Sequence, residues 1–136
     1  MENHITLSRM HTPVEFWGSL LLVLFLLFLA VNAFFQPIAA ASGFGVPLVD
    51  ALDAFYLLVK SDRDLGSALA LSALLWLGHR RALGLAVAGL SIEPIMDACL
   101  VSADSRGSVT YALAIHGSAA LYAVFLSWRL LRRSHS

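Results

Sequence analysis

Six polar side chains in an otherwise apolar sequence have the types and spacing to do chemistry: Asn32, Arg63, Asp64, Glu93, Asp97 and His116. Glu93 and Asp97 are four residues apart, so on a helix they share one face. Two partly desolvated carboxylates that close cannot easily both ionise, which makes one of them a candidate general acid at neutral pH. His116 could be the base or proton shuttle beside them, and Arg63 could stabilise developing negative charge. Asp97, Glu93 and His116 are therefore the candidate catalytic residues, with Arg63, Asp64 and Asn32 as candidate ligand contacts. The competing reading is structural. Arg63 would only neutralise Asp64 or Asp97, His116 would only hydrogen-bond Glu93, and the network would fix helix register. One His and two carboxylates would also suit several metals, but no H-x-x-x-H or E-x-x-H spacing is present and no metal ligand is assigned.

Helical spacing is what could bring these groups together. Asp64 lies 16 residues before Arg80 and Asp97 lies 17 after it, so both should sit at one height on adjacent antiparallel helices. Glu93 lies 12 residues before Ser105 and His116 lies 11 after it. Asn32, 18 residues beyond Val14, falls in the same layer. Ala112, Ala119, Ala120 and Ala123 share a face with His116 and leave room for a neighbour or a ligand.

The elements that must position this layer are membrane helices. Of 136 residues, 59% are hydrophobic and 13% charged, too apolar for a soluble domain of this size. Nine basic and nine acidic side chains leave no net charge, so no nucleic-acid partner is expected. The sequence predicts an all-α, four-helix antiparallel bundle in the membrane, with the lipid bilayer as its first partner. The spans fall at about 14–35, 55–78, 82–102 and 108–131, forming a domain over 14–131 between a tail at 1–13 and a basic tail at 132–136. A signal peptide is the alternative for the first span, because Ala39-Ala40-Ala41 resembles a cleavage site, but that span is longer than the usual h-region.

The second span is the ambiguous one. Its apolar stretch, Leu65 to Gly78, covers only ~21 Å as a helix. Either the helix starts near Leu52 to Lys60, which sinks Ser61-Asp62-Arg63-Asp64 below the surface, or it starts at Asp62 in a locally thinned bilayer. Gln36 to Pro47 reads as a Pro/Gly-rich loop, followed by an amphipathic lead-in with Asp50 and Asp53 on its wet face. Pro94 should kink the third span and free a carbonyl. Arg9, Arg80, Arg81, Arg129, Arg132 and Arg133 lie on one side and Lys60, Arg63 and Arg106 on the other, which puts both termini in the cytoplasm. Trp17, Trp76 and Trp128 then stand as anchors at the cytoplasmic ends. Cys99, the one cysteine, reads as packing.

Several short motifs follow one another: Pro37 to Pro47 (PIAAASGFGVP), Arg63-Asp64-Leu65, His79 to Gly84 (HRRALG), Pro94 to Ala98 (PIMDA) and Ala114-Ile115-His116-Gly117. From about Phe34 to Arg133, this order resembles a fungal and bacterial family of small four-helix membrane proteins, catalogued as a domain of unknown function and loosely DoxX-like. The resemblance implies a four-span α bundle and places the family's recurring Arg-Asp, Asp and His-Gly positions on Arg63, Asp64, Asp97 and His116. It brings no established reaction. Fungal relatives look like accessory proteins of natural-product pathways.

The function expected is cofactor-free acid/base chemistry on a lipophilic metabolite such as a polyketide or isoprenoid: isomerisation, cyclisation or epoxide opening. The alternatives are a scaffold or accessory subunit for a partner enzyme, or a small carrier that works as a homo-oligomer.

Overall fold

A computed structural model describes residues 12–48 and 54–132. The two tails, including Arg9 and Arg133, and the acidic pair Asp50 and Asp53 lie outside the described residues.

All regular structure among the described residues is helical. It comprises α1 (Pro13–Phe35), α2 (Pro37–Phe44), α3 (Ala54–Trp76), α4 (Arg80–Leu90), α5 (Ile92–Ala103), α6 (Val109–Ala112) and α7 (Ser118–Arg132), with a π-helical turn, Leu113–Gly117, between α6 and α7. Three helical stretches are long and apolar enough to cross a membrane: Pro13–Phe35, Arg80–Ala103 and Val109–Arg132. α3 has the length, but Lys60, Asp62, Arg63 and Asp64 fall inside it. The helix thus runs through the charged tetrad instead of starting at it.

Local chemistry explains the boundaries. Pro13 occupies the first helical position of α1, where its missing N–H costs nothing, and Glu15 in the first turn accepts the Thr12 backbone N–H at 3.1 Å. Gln36 precedes a proline, which disfavours helical geometry there, and α1 ends. The expected loop over Gln36 to Pro47 is mostly a helix. Pro37 starts α2 as Pro13 starts α1, the alanines that follow propagate it, and Gly45 ends it with φ 104° in the left-handed region. The punctuation residues were cap signals of a short helix. Pro94 accounts for the break between α4 and α5, since it has no N–H to give the carbonyl of Leu90, four residues back.

Packing joins two helix pairs. α1 lies along α3, where small residues allow close approach and the Ser61 hydroxyl donates to the Ala30 carbonyl at 2.7 Å. α4 lies along α7, where Gly84 receives Leu130 and the Ser127 hydroxyl donates to the Gly84 carbonyl at 3.1 Å. Val23, Leu71, Leu75, Leu83, Val87, Leu126 and Leu130 form the core between the pairs. The Tyr122 hydroxyl ties α7 to α1 through the Gly18 carbonyl at 2.7 Å. Outward faces carry large exposed apolar side chains, among them Phe28, Leu69, Leu85 and Leu121. The start of α1, the start of α4 and the end of α7 meet at one end of the molecule, through contacts of Arg80 described below.

Candidate functional site

α3 supplies three charges to one spot. Lys60 and Asp64 are one turn apart, and the Lys60 ammonium lies 3.2 Å from Asp64 Oδ2. Asp64 is buried, at 1% exposure. The Arg63 guanidinium spans from Asp64 Oδ1, at 3.5 Å, to Glu93 Oε2 on α5, at 3.2 Å.

Beyond the break at Ser91, α5 brings Asp97 to the same layer one turn after Glu93. The π-helical turn brings His116, whose Nδ1 is 4.0 Å from Asp97 Oδ2. A π turn closes its hydrogen bonds one residue later than an α-helix, so it rotates the side chains it carries out of the flanking register. His116 is buried, and its other nitrogen, Nε2, lies 2.8 Å from the Phe44 carbonyl at the end of α2. The Phe44 ring rests on the imidazole with centroids 4.8 Å apart, and the Lys60 ammonium lies 5.8 Å from the centre of that ring. Gly45 holds this arrangement: its φ of 104° turns the chain after Phe44, and Tyr111 packs against it while donating its hydroxyl to the Gly43 carbonyl at 2.6 Å.

These contacts assign a donor role to one imidazole nitrogen. A carbonyl only accepts, so Nε2 of His116 must carry the hydrogen it shares with Phe44. In the neutral imidazole Nδ1 is then a lone pair, and it faces a carboxylate oxygen. Two acceptors so placed repel unless a proton lies on one of them. Lys60 pairs with Asp64 and Arg63 with Glu93, which leaves Asp97 facing His116 without a cationic side chain of its own within ion-pair distance among the described residues.

Five of the six expected residues come together: Arg63, Asp64, Glu93, Asp97 and His116. Asn32 does not join them; its backbone carbonyl accepts from the Gln36 N–H at 2.8 Å, and its side chain makes no hydrogen bond among the described residues. The sequence reading missed Lys60 and the Phe44 carbonyl. Lys60 was detectable, being four residues before Asp64 on the same helix. The Phe44 contact was not, because a backbone carbonyl leaves no mark in composition. No group of three or more His, Cys, Asp or Glu side chains among the described residues is arranged to hold a metal ion. A cavity of about 270 Å³ lies against Phe44, lined by Ala41, Val46, Tyr56 and Leu57, but its one charged lining residue is Arg106.

A second polar cluster was also missed. Glu15 Oε1 and Oε2 receive Nη2 and Nε of Arg80 at 3.1 and 3.2 Å, and Nη2 also donates to the Arg129 carbonyl at 2.9 Å. This clamp binds α1, α4 and the C-terminal end of α7, where a cation also suits the helix dipole.

The model of one protein family, described as a domain of unknown function (DUF4267), matches residues 23–130, which span both helix pairs and the whole charged layer. No curated protein and no solved structure matches the chain. The chain belongs to the DUF4267 family.

Proposed function

Taking that membership as the premise, we propose that this protein is a multi-pass membrane protein whose charged layer binds a lipophilic small molecule and moves protons on it without a bound cofactor. α3 is then the fourth crossing helix, and both termini are cytoplasmic. The pairing of Lys60 with Asp64 and of Arg63 with Glu93 supports burying α3 in lipid, because paired charges cost far less there than lone ones. The basic side chains at the Trp17, Trp76 and Trp128 end support the orientation. Labelling tests it: His79→Cys and Arg106→Cys, each in a Cys99→Ser background, should react from opposite sides of the membrane. Reaction from the same side would rule out four spans.

The observation that carries the functional reading is the Asp97–His116 couple, held by the Phe44 carbonyl and flanked by charges that are already paired. Such a couple can give a proton to one atom of a substrate and take one from another. Atoms balance with no co-reactant in double-bond isomerisation, cyclisation, or epoxide opening by a hydroxyl or double bond of the same polyketide or isoprenoid molecule. Glu93 is paired with Arg63, so we assign Asp97 as the acid and His116 as the base.

Metabolite profiling of the native host with the gene deleted tests this reading, with rescue by wild type and by Asp97→Asn at matched membrane levels. A precursor that builds up and is cleared only by wild type supports proton chemistry. Rescue by both contradicts it and favours a scaffold for a partner enzyme.

A further inference from the structure

The layer is not closed on all sides. α3 packs on α1, α2 and α4, and α5 packs on α4, the α6–π segment and α7, with no extensive packing between α3 and α5 among the described residues. What crosses between them is the Arg63–Glu93 ion pair, and these side chains are 45% and 27% exposed. Asp97 behind them is 19% exposed, while the Phe44 ring closes the layer on the α2 side. At the depth of a hydrocarbon core such partly bare charge is costly, so a polar group should cover it.

The charge balance says what kind of group. The titratable and charged groups of the layer are Lys60, Arg63 and Asp64 from α3, Glu93 and Asp97 from α5, and His116 from the π turn; α2 contributes no charged side chain. Asp62 on α3 makes no ion pair with them among the described residues. Three carboxylates against two permanent cations reach neutrality with the single proton of the Asp97–His116 couple. A carboxylate or ammonium head would upset that balance, and a neutral head would not. One oxygen about 2.8 Å from both partners spans the 4.0 Å from Nδ1 to Oδ2 at roughly 90°. A hydroxyl fits best, because it both donates and accepts and can pass the proton along.

We infer that the gap between α3 and α5 is a lateral window through which an uncharged, hydroxyl-bearing amphiphile enters from the bilayer, its oxygen bridging Asp97 and His116 and the Arg63–Glu93 pair forming the sill. This rests on the membrane-site reading above and adds to it the ligand class and the route.

Binding to the full-length protein in nanodiscs tests the inference, with farnesol, farnesoic acid and farnesylamine as probes sharing one tail. Empty nanodiscs correct for partition into lipid. Farnesol should bind about tenfold tighter than either charged probe, and Asp97→Asn should weaken farnesol about tenfold, the scale of a lost hydrogen bond to a charged group. Asp97→Asn should also narrow the discrimination against farnesoic acid, which loss of packing alone would not do. Preference for the acid or the amine overturns the inference, as does farnesol binding equal in wild type and Asp97→Asn. Farnesol binding in a protein whose Asp97→Asn variant still rescues the deletion strain would keep this inference and sink the catalytic reading.

Discussion

At one end of the molecule Glu15 and Arg80 meet in a two-pronged pair, 1% and 15% exposed, with the spare guanidinium hydrogen given to the Arg129 carbonyl. At the other, Arg63 and Glu93 make a single contact at 45% and 27% exposure, and Asp97 stands 4.0 Å from His116 without a direct hydrogen bond. Both clusters join three or more helical elements and contain a glutamate–arginine pair. The first pairs both carboxylate oxygens of Glu15 and is largely shielded from solvent, so its free energy goes into fixing helix ends. The second leaves Asp97 and His116 without a direct hydrogen bond and the Arg63–Glu93 pair partly exposed. Completeness of pairing is therefore what separates the two clusters of charge in this fold.

The comparison can be broken most easily at the clamp. Glu15→Ala strands a buried guanidinium and should cost about 3–5 kcal/mol, read as a lowered unfolding midpoint of the purified protein. Asp97→Asn should do the reverse, leaving that midpoint within about 1 kcal/mol while reducing turnover at least about a hundredfold, the scale of lost general acid catalysis. Equal destabilisation by the two variants would erase the distinction between the clusters.

Gly45→Ala sharpens it further. A Cβ there would come 2.9 Å from Tyr111 and would force a left-handed alanine, at about 1–2 kcal/mol. The displaced Phe44 carbonyl should free His116, so activity should fall more than stability does. The smallest effect belongs to the connection between α5 and α6, where Asp104 accepts from Arg106 at 2.7 and 2.9 Å. Those bonds hold the exposed Asp104 carboxyl down at about 2. A group depressed in the folded state contributes stability above its unfolded value and loses it as pH falls through the folded one. Loop order should therefore be full above about pH 4 and fade toward pH 2, measurable by amide exchange at Arg106.

Much of the fold was legible because long apolar runs have few options. Depth counting from the turns brought Arg63, Asp64, Glu93, Asp97 and His116 to one layer, since helical rise is regular. Asn32 failed by the same method, because height does not specify which way a side chain faces. α2 was hidden because Pro37 and Gly45 read equally as loop or as caps, and only the tertiary setting decides. The π turn at His116 has no signature in residue type. Arg80 was read as a membrane-side charge, and nothing in the sequence said that a glutamate 65 residues earlier would claim it.

The central claim is that His116 holds its Nε2 hydrogen on the Phe44 carbonyl and shares a removable proton with Asp97 through Nδ1. Nitrogen-15 NMR of the imidazole in membranes, with His4, His11, His79 and His135 replaced by Gln, reads both nitrogens directly. The account expects a protonated Nε2 in every variant and an Nδ1 signal that shifts in Asp97→Asn. An unprotonated Nε2, or an Nδ1 signal indifferent to Asp97, would contradict it.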